Sequence, residues 1–232
     1  MPTSATKPLI IFDVDGTLLG GESYDWSSYE NAFLEVTGNP FEEGFFDRIT
    51  EVNATSIVQQ ARPDLTGTER EETIAAVADG YRRRLADEIA AHPEAFPATT
   101  GACELLPQLT ELGYDCAIAT GDWVDSITLK LDAASIPWRG LPMATSSDRD
   151  TRAQIISLAA ERANRPIEEA IYVGDGLWDL RATGALGIPF IATGAKHARL
   201  AAAGAKFVVP DLTPPAFLAT LARITAEPSA GV

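Results

Sequence analysis

Two aspartates, Asp13 and Asp15, stand one residue apart in the segment PLIIFDVDGTLLGG. They follow the apolar run 9–12, which reads as a buried strand. Side chains alternate in extended backbone, so if strand geometry persists the two carboxylates point the same way. Like charges held that close raise each other's pKa and cost stability unless a cation or a proton intervenes. Two more such places follow: Thr120-Gly121-Asp122, and Gly174-Asp175-Gly176 with Asp179 one helical turn on. Together they offer the parts of a phosphoryl-transfer site. One carboxylate can attack phosphorus, a second can act as general acid and base, and glycine-flanked amides can cradle phosphate oxygens. Oxygen ligands without His or Cys favour a hard cation such as Mg2+.

These residues must be positioned by a scaffold. From about residue 100 onward, short apolar runs at 116–120, 141–145, 170–174, 189–193 and 206–210 alternate with stretches of helical spacing. Strands apolar on both faces, alternating with helices, predict a parallel sheet covered on each side. The run at 9–13 supplies the first strand. The fold class expected is α/β, a three-layer Rossmann-like parallel sheet core with an inserted all-helical cap. In such sheets ligands bind beyond the carboxyl ends of the strands, where the three polar groups above fall.

The insertion is residues 20–96, with helical patterning over 24–37, 41–61 and 68–91, punctuated by GNP and RPDLTG. Glycines and prolines flank it. The expected division is a core of 1–19 and 97–232 and a cap of 20–96.

At this point the sequence resembles the haloacid dehalogenase-like hydrolases, in particular their phosphoglycolate phosphatase-like members with a helical cap after the first strand. DVDGT is similar to the family's first motif, which implies Asp13 as nucleophile and Asp15 as acid/base, with Gly16 beside the phosphate. IATGD resembles the second, implying phosphate contacts from Thr120 and the Gly121 amide. VGDGLWD resembles the fourth, implying that Asp175 and Asp179 hold Mg2+ with the Asp13 carboxylate and the Asp15 main-chain carbonyl. The third motif departs: the family's lysine is absent from SSDRDTRAQII. Arg152, in the first turn of a helix capped by Thr151 or Asp150, is the expected substitute, with Arg149 second. A cation there opposes the helix dipole, which hints at a use.

The resemblance implies a Mg2+-dependent phosphatase that acts on a small phosphorylated metabolite through an aspartyl-phosphate. A sugar-phosphate mutase stays open as an alternative, as does a non-catalytic binding protein that lost turnover with the third-motif lysine. A dehalogenase lacks the second aspartate. A phosphonate hydrolase of this family uses a cap lysine, and residues 20–96 contain none.

The formal charge of −15 argues against nucleic acid or an anionic membrane as partner. Two cysteines with no CxxC suggest neither zinc nor a disulfide framework, and no signal or membrane-spanning segment is read, so a cytoplasmic monomer or homodimer is expected. Asn53, Thr55 and Arg48 are polar candidates for substrate contact in the cap. Asp122 and Asp125 read as helix N-terminal acids, and Trp178 as a cover over the metal site or a packing residue.

Overall fold

In the computed structural model, which describes residues 7–226, six strands form one parallel sheet. They are β1 (Leu9–Phe12), β2 (Cys116–Ala119), β3 (Met143–Ala144), β4 (Ala170–Gly174), β5 (Phe190–Ala192) and β6 (Phe207–Val208). The order is β3-β2-β1-β4-β5-β6, with β1 hydrogen-bonded between β2 and β4. All residues of β1, β2, β4 and β5 are buried. Alternation along β1 explains how: Ile10 and Phe12 join one apolar cluster, Leu9 and Ile11 the other. The first cluster is closed by helices α5 (Ala102–Glu111), α6 (Val124–Ala133) and α10 (Pro214–Ala226). The second is closed by α7 (Arg152–Arg162), α8 (Leu177–Leu186) and α9 (His197–Ala202).

Four helices lie between β1 and α5: α1 (Glu22–Thr37), α2 (Phe45–Arg48), α3 (Ala54–Ala61) and α4 (Gly67–Ala91). They share a third apolar cluster, with α1 packed along α4, and Trp123 from the loop after β2 enters it. The chain's exit and return lie side by side: the Gly20 N–H donates to the Pro97 carbonyl at 2.8 Å and the Thr99 N–H to the Leu18 carbonyl at 2.9 Å.

Three features differ from the sequence expectation. The helical patterning over 41–61 resolves into α2 and α3, broken where Asn53 takes an extended conformation and its side chain accepts from the Ser56 N–H. That capping bond satisfies an orphan amide and starts a new helix. Helix α10 was not among the elements read, and its Phe217 stacks on Phe12 with ring centroids 6.1 Å apart. Lastly, β1 ends at Phe12, with the Asp13 N–H still donating to the Val173 carbonyl at 2.9 Å, and a tight turn begins at Val14 before Asp15 is reached. The Val14 carbonyl there accepts from the N–H groups of Thr17, Leu18 and Leu19, and Gly16 has φ 80°. Among the described residues no helix is long and apolar enough to cross a membrane.

Phe217 is fully buried. Phe217→Ala is expected to lower unfolding free energy by about 3–5 kcal/mol, read by urea denaturation, because it leaves a cavity against β1.

Candidate active site

The tight turn after β1 sends the two aspartates to different partners. Asp13 and Asp175, at the ends of β1 and β4, and Asp179, in the first turn of α8, each offer an oxygen within 4.8 Å of the others. Arg152 lies against this trio, with Nη1 3.1 Å from Asp13 Oδ1 and Nε 3.4 Å from Asp179 Oδ1. The Gly176 N–H donates to Asp179 Oδ2 at 3.0 Å, and the Tyr172 hydroxyl donates to the Ala119 carbonyl at 3.0 Å.

Burial pushes the Asp13 carboxyl up to about 7 against the pull of Arg152. Burial and the neighbouring Asp13 push Asp175 to about 7, and burial takes Asp179 to about 6 against Arg152. Asp175 Oδ1 is buried without a hydrogen-bond partner. A cluster of three carboxylates with an orphaned oxygen is costly as it stands, and its all-oxygen donor set fits a hard divalent cation.

Arg152 is the first residue of α7, capped by the Thr151 side chain, which accepts from the Gln154 N–H. Its placement at the unfavourable end of the helix dipole is offset by its surroundings. Glu51 Oε2 accepts from the Arg152 N–H at 3.2 Å, and the two carboxylates face its guanidinium. Those carboxylates hold its pKa above the ordinary arginine value, overcoming burial. Arg149 is exposed and donates to the Asp148 carbonyl, away from the trio. Gly121 explains the close fit: a Cβ there would lie 2.8 Å from Arg152 Nη2 and 3.2 Å from Asn53 Cα.

Asp15 belongs to a second cluster. Lys130 on α6 is fully buried, with Nζ 2.7 Å from Asp15 Oδ1, 2.6 Å from Asp25 Oδ1 and 2.9 Å from Asp122 Oδ2. The Tyr81 hydroxyl on α4 donates to Asp25 and accepts from Lys130 at 3.3 Å. Desolvation pushes Asp15 and Asp122 to about 7 against the attraction of Lys130. The three carboxylates hold Lys130 well above its ordinary value in spite of burial. Thus Asp13 and Asp15 do not share a single counter-ion: Arg152 faces one and Lys130 the other.

A cavity of about 410 Å3 opens between the sheet edge and the inserted helices, with Asp13, Asp15, Thr120, Gly121, Arg152 and Asp175 on its core side. Thr120 is buried, and its hydroxyl accepts from the Asp122 N–H at 3.2 Å. Gly16, expected beside phosphate, has its N–H committed to the Leu19 carbonyl at 2.7 Å. A Cβ on Gly16 would lie 2.2 Å from Asp175 Oδ2, so this glycine lets the turn pass under Asp175 instead of offering a phosphate donor.

The polar residues expected to contact substrate from the insertion are engaged elsewhere. Asn53 Nδ2 donates to the Asp150 carbonyl at 2.7 Å, and Thr55 Oγ1 donates to the Ser146 carbonyl and accepts from Trp123 Nε1, both at 2.9 Å. They dock α3 on the core, as does the Ala54 N–H on the Gly121 carbonyl at 2.7 Å. Arg48 is exposed and pairs with Glu42. Trp178 lines the cavity. Asp122, expected as a helix N-terminal acid, does accept from the Trp123 N–H at 2.6 Å but also carries the Lys130 contact.

Lys130, Asp25 and Tyr81 escaped the sequence reading. One signal was present: Lys130 sits three residues after Ile127 and next to Leu131, on the buried stripe of α6.

Comparison with known proteins bears on the family and the fold. The sequence model of the haloacid dehalogenase-like hydrolases matches residues 10–193. Phosphoserine phosphatase SerB2 of Mycobacterium tuberculosis is 27% identical over 94% of this chain and 52% of its own length, so the chain spans about half of that relative. A hydrolase from Pseudomonas syringae superposes with TM-score 0.72 at 22% identity, covering 94% of this chain and 99% of that one. CbbY from Rhodobacter sphaeroides, solved in complex with phosphate, superposes with TM-score 0.72 at 19% identity, covering 93% and 99%.

Two outcomes follow from the charge clusters. Lys130→Met leaves three carboxylates without their cation and is expected to lower stability by about 3–5 kcal/mol at pH 7.5, read by urea denaturation. The raised carboxyls of the Asp13 trio make the metal-free fold hold protons that the unfolded chain has released. Their stabilising share is therefore complete below pH about 4 and is lost as pH rises through about 6–7. Thermal melts should show metal-free stability falling across that window, and a divalent cation should raise Tm more at pH 7.5 than at pH 5.

Proposed function

The chain belongs to the haloacid dehalogenase-like hydrolase family, and we propose that within it this protein is a Mg2+-dependent phosphatase acting on a small phosphomonoester. The observation that carries the reading is the buried pairing of Arg152 with Asp13 beside Asp175 and Asp179 at the carboxyl edge of the sheet. It supports Arg152 as the cation standing in for the family's missing lysine, which favours turnover over a binding protein that has lost it. The name of the phosphoserine phosphatase relative supports the same reaction class.

In this reading Asp13 attacks phosphorus in line and forms an aspartyl-phosphate while Asp15, which lines the same cavity, protonates the leaving oxygen. Asp15 then takes a proton from the water that hydrolyses the intermediate. Arg152 holds Asp13 in position and, with Thr120 and the Gly121 amide, stabilises the charge on the transferring group. Asp13, Asp175 and Asp179 would hold the Mg2+, which when bound neutralises phosphate charge. Lys130 keeps the Asp15 carboxyl oriented toward the cavity. Residues 20–96 act as a cap that limits access of bulk water, over a core of residues 1–19 and 97–232.

Asp13→Asn is expected to abolish Mg2+-dependent hydrolysis of p-nitrophenyl phosphate; persistence of activity would sink the assignment. Arg152→Ala should lower kcat/KM by about 10^2–10^3-fold, with Arg152→Lys retaining more than the alanine variant.

A further inference from the structure

The cavity has two characters. Its core residues include the carboxylates and Arg152, while the insertion contributes an apolar part, Trp26, Phe46, Ile49 and Ile57, and Trp178 of α8 is also in the lining. The Trp26 and Phe46 rings meet edge to face with centroids 4.7 Å apart. Phe46 is 45% exposed, one of few large apolar side chains left open among the described residues.

Most polar groups near this apolar part are already engaged; the exception is Trp178 Nε1, which is buried without a hydrogen-bond partner. The Tyr29 hydroxyl donates to the Ala54 carbonyl at 2.7 Å, and both polar atoms of the Asn53 side chain are bonded to backbone. No lysine or arginine of the insertion lines the cavity. The cations that do line it come from the core and are paired: Arg152 with Asp13 and Asp179, and Lys196 with Glu22 at 2.8 Å and Asp175 at 3.7 Å. Glu22 and Asp25 add negative charge on the cap side.

Given the phosphatase reading above, on which this rests, we infer that the substrate is a phosphomonoester of an uncharged, largely apolar alcohol, aromatic or medium-chain alkyl. The phosphate would sit at Asp13 and Arg152, and the alcohol would lie against the Trp26–Phe46 wall. A carboxylate on the leaving group would enter an apolar space rimmed by acids, and such burial without a counter-ion is strongly disfavoured. A cavity of this volume is also larger than a two-carbon ester needs.

Non-hydrolysable phosphonates read binding whether or not turnover occurs. Calorimetric titration of the full chain with Mg2+ would compare methyl-, butyl-, hexyl- and benzylphosphonate with phosphonoacetate. Affinity is expected to rise about four-fold per methylene added against the wall. Benzylphosphonate should bind at least about tenfold tighter than methylphosphonate, and phosphonoacetate no tighter than methylphosphonate. Phe46→Ala, at a half-exposed position, should weaken benzylphosphonate by a larger factor than methylphosphonate. Flat affinity across chain length, or phosphonoacetate as the tightest ligand, would overturn the substrate class while leaving the phosphatase reading intact. Absence of binding by every phosphonate, together with no hydrolysis of p-nitrophenyl phosphate, would remove the phosphatase reading and this inference with it.

Discussion

Six carboxylates crowd the carboxyl edge of the sheet and the adjoining face of α1, in two groups of three, and each group is set against one buried cation. Much of the architecture serves that balance. A buried charge without a partner costs several kcal/mol, so Arg152 and Lys130 need rigid anchorage. Arg152 gets it from the start of α7, where Glu51 meets its backbone and Gly121 leaves room for its guanidinium. Lys130 gets it from the buried stripe of α6, with Tyr81 closing the remaining side. The turn at Gly16, which follows Asp13 directly, goes with the separation of the two groups.

The inserted helices are part of this balance. Asp25 and Tyr81 reach Lys130 from α1 and α4, while Asn53, Ser56 and Thr55 bind backbone carbonyls of the core beside α7. The same elements that roof the cavity therefore complete the charge clusters beneath it. Many of their polar groups serve that attachment, and the surface they leave facing the cavity combines an apolar part with the carboxylates of Glu22 and Asp25.

The sheet was legible because its strands are apolar on both faces and regularly separated by helical stretches. The candidate residues followed from asking which polar residues end those strands, a question that needs no tertiary information once the strands are placed. What could not be read was pairing. The Asp13–Asp15 spacing suggested shared surroundings, and both do line one cavity, but it did not show that each carboxylate meets a different cation. Lys130 looked like an ordinary helical lysine, because its three acidic partners are scattered over residues 15–122 and only the fold gathers them. Helix α10 opens on Pro214-Pro215 after the last strand, where prolines suggest a tail as readily as a first turn. Gly16 was expected beside the phosphate, and the motif did not show that its amide would be taken by the Leu19 carbonyl.

The reach of Lys130 across the two parts of the molecule has a mechanical side. Asp25 is held on α1, whereas Asp15 and Asp122 belong to the core that carries α6. Lifting α1 away would break one of the three contacts and leave the lysine shared by two. Asp15 would then face a less divided positive charge than when the helices are docked. Any such opening would alter the electrostatic setting of that carboxyl as well as the path to it, because one ammonium group spans the two parts.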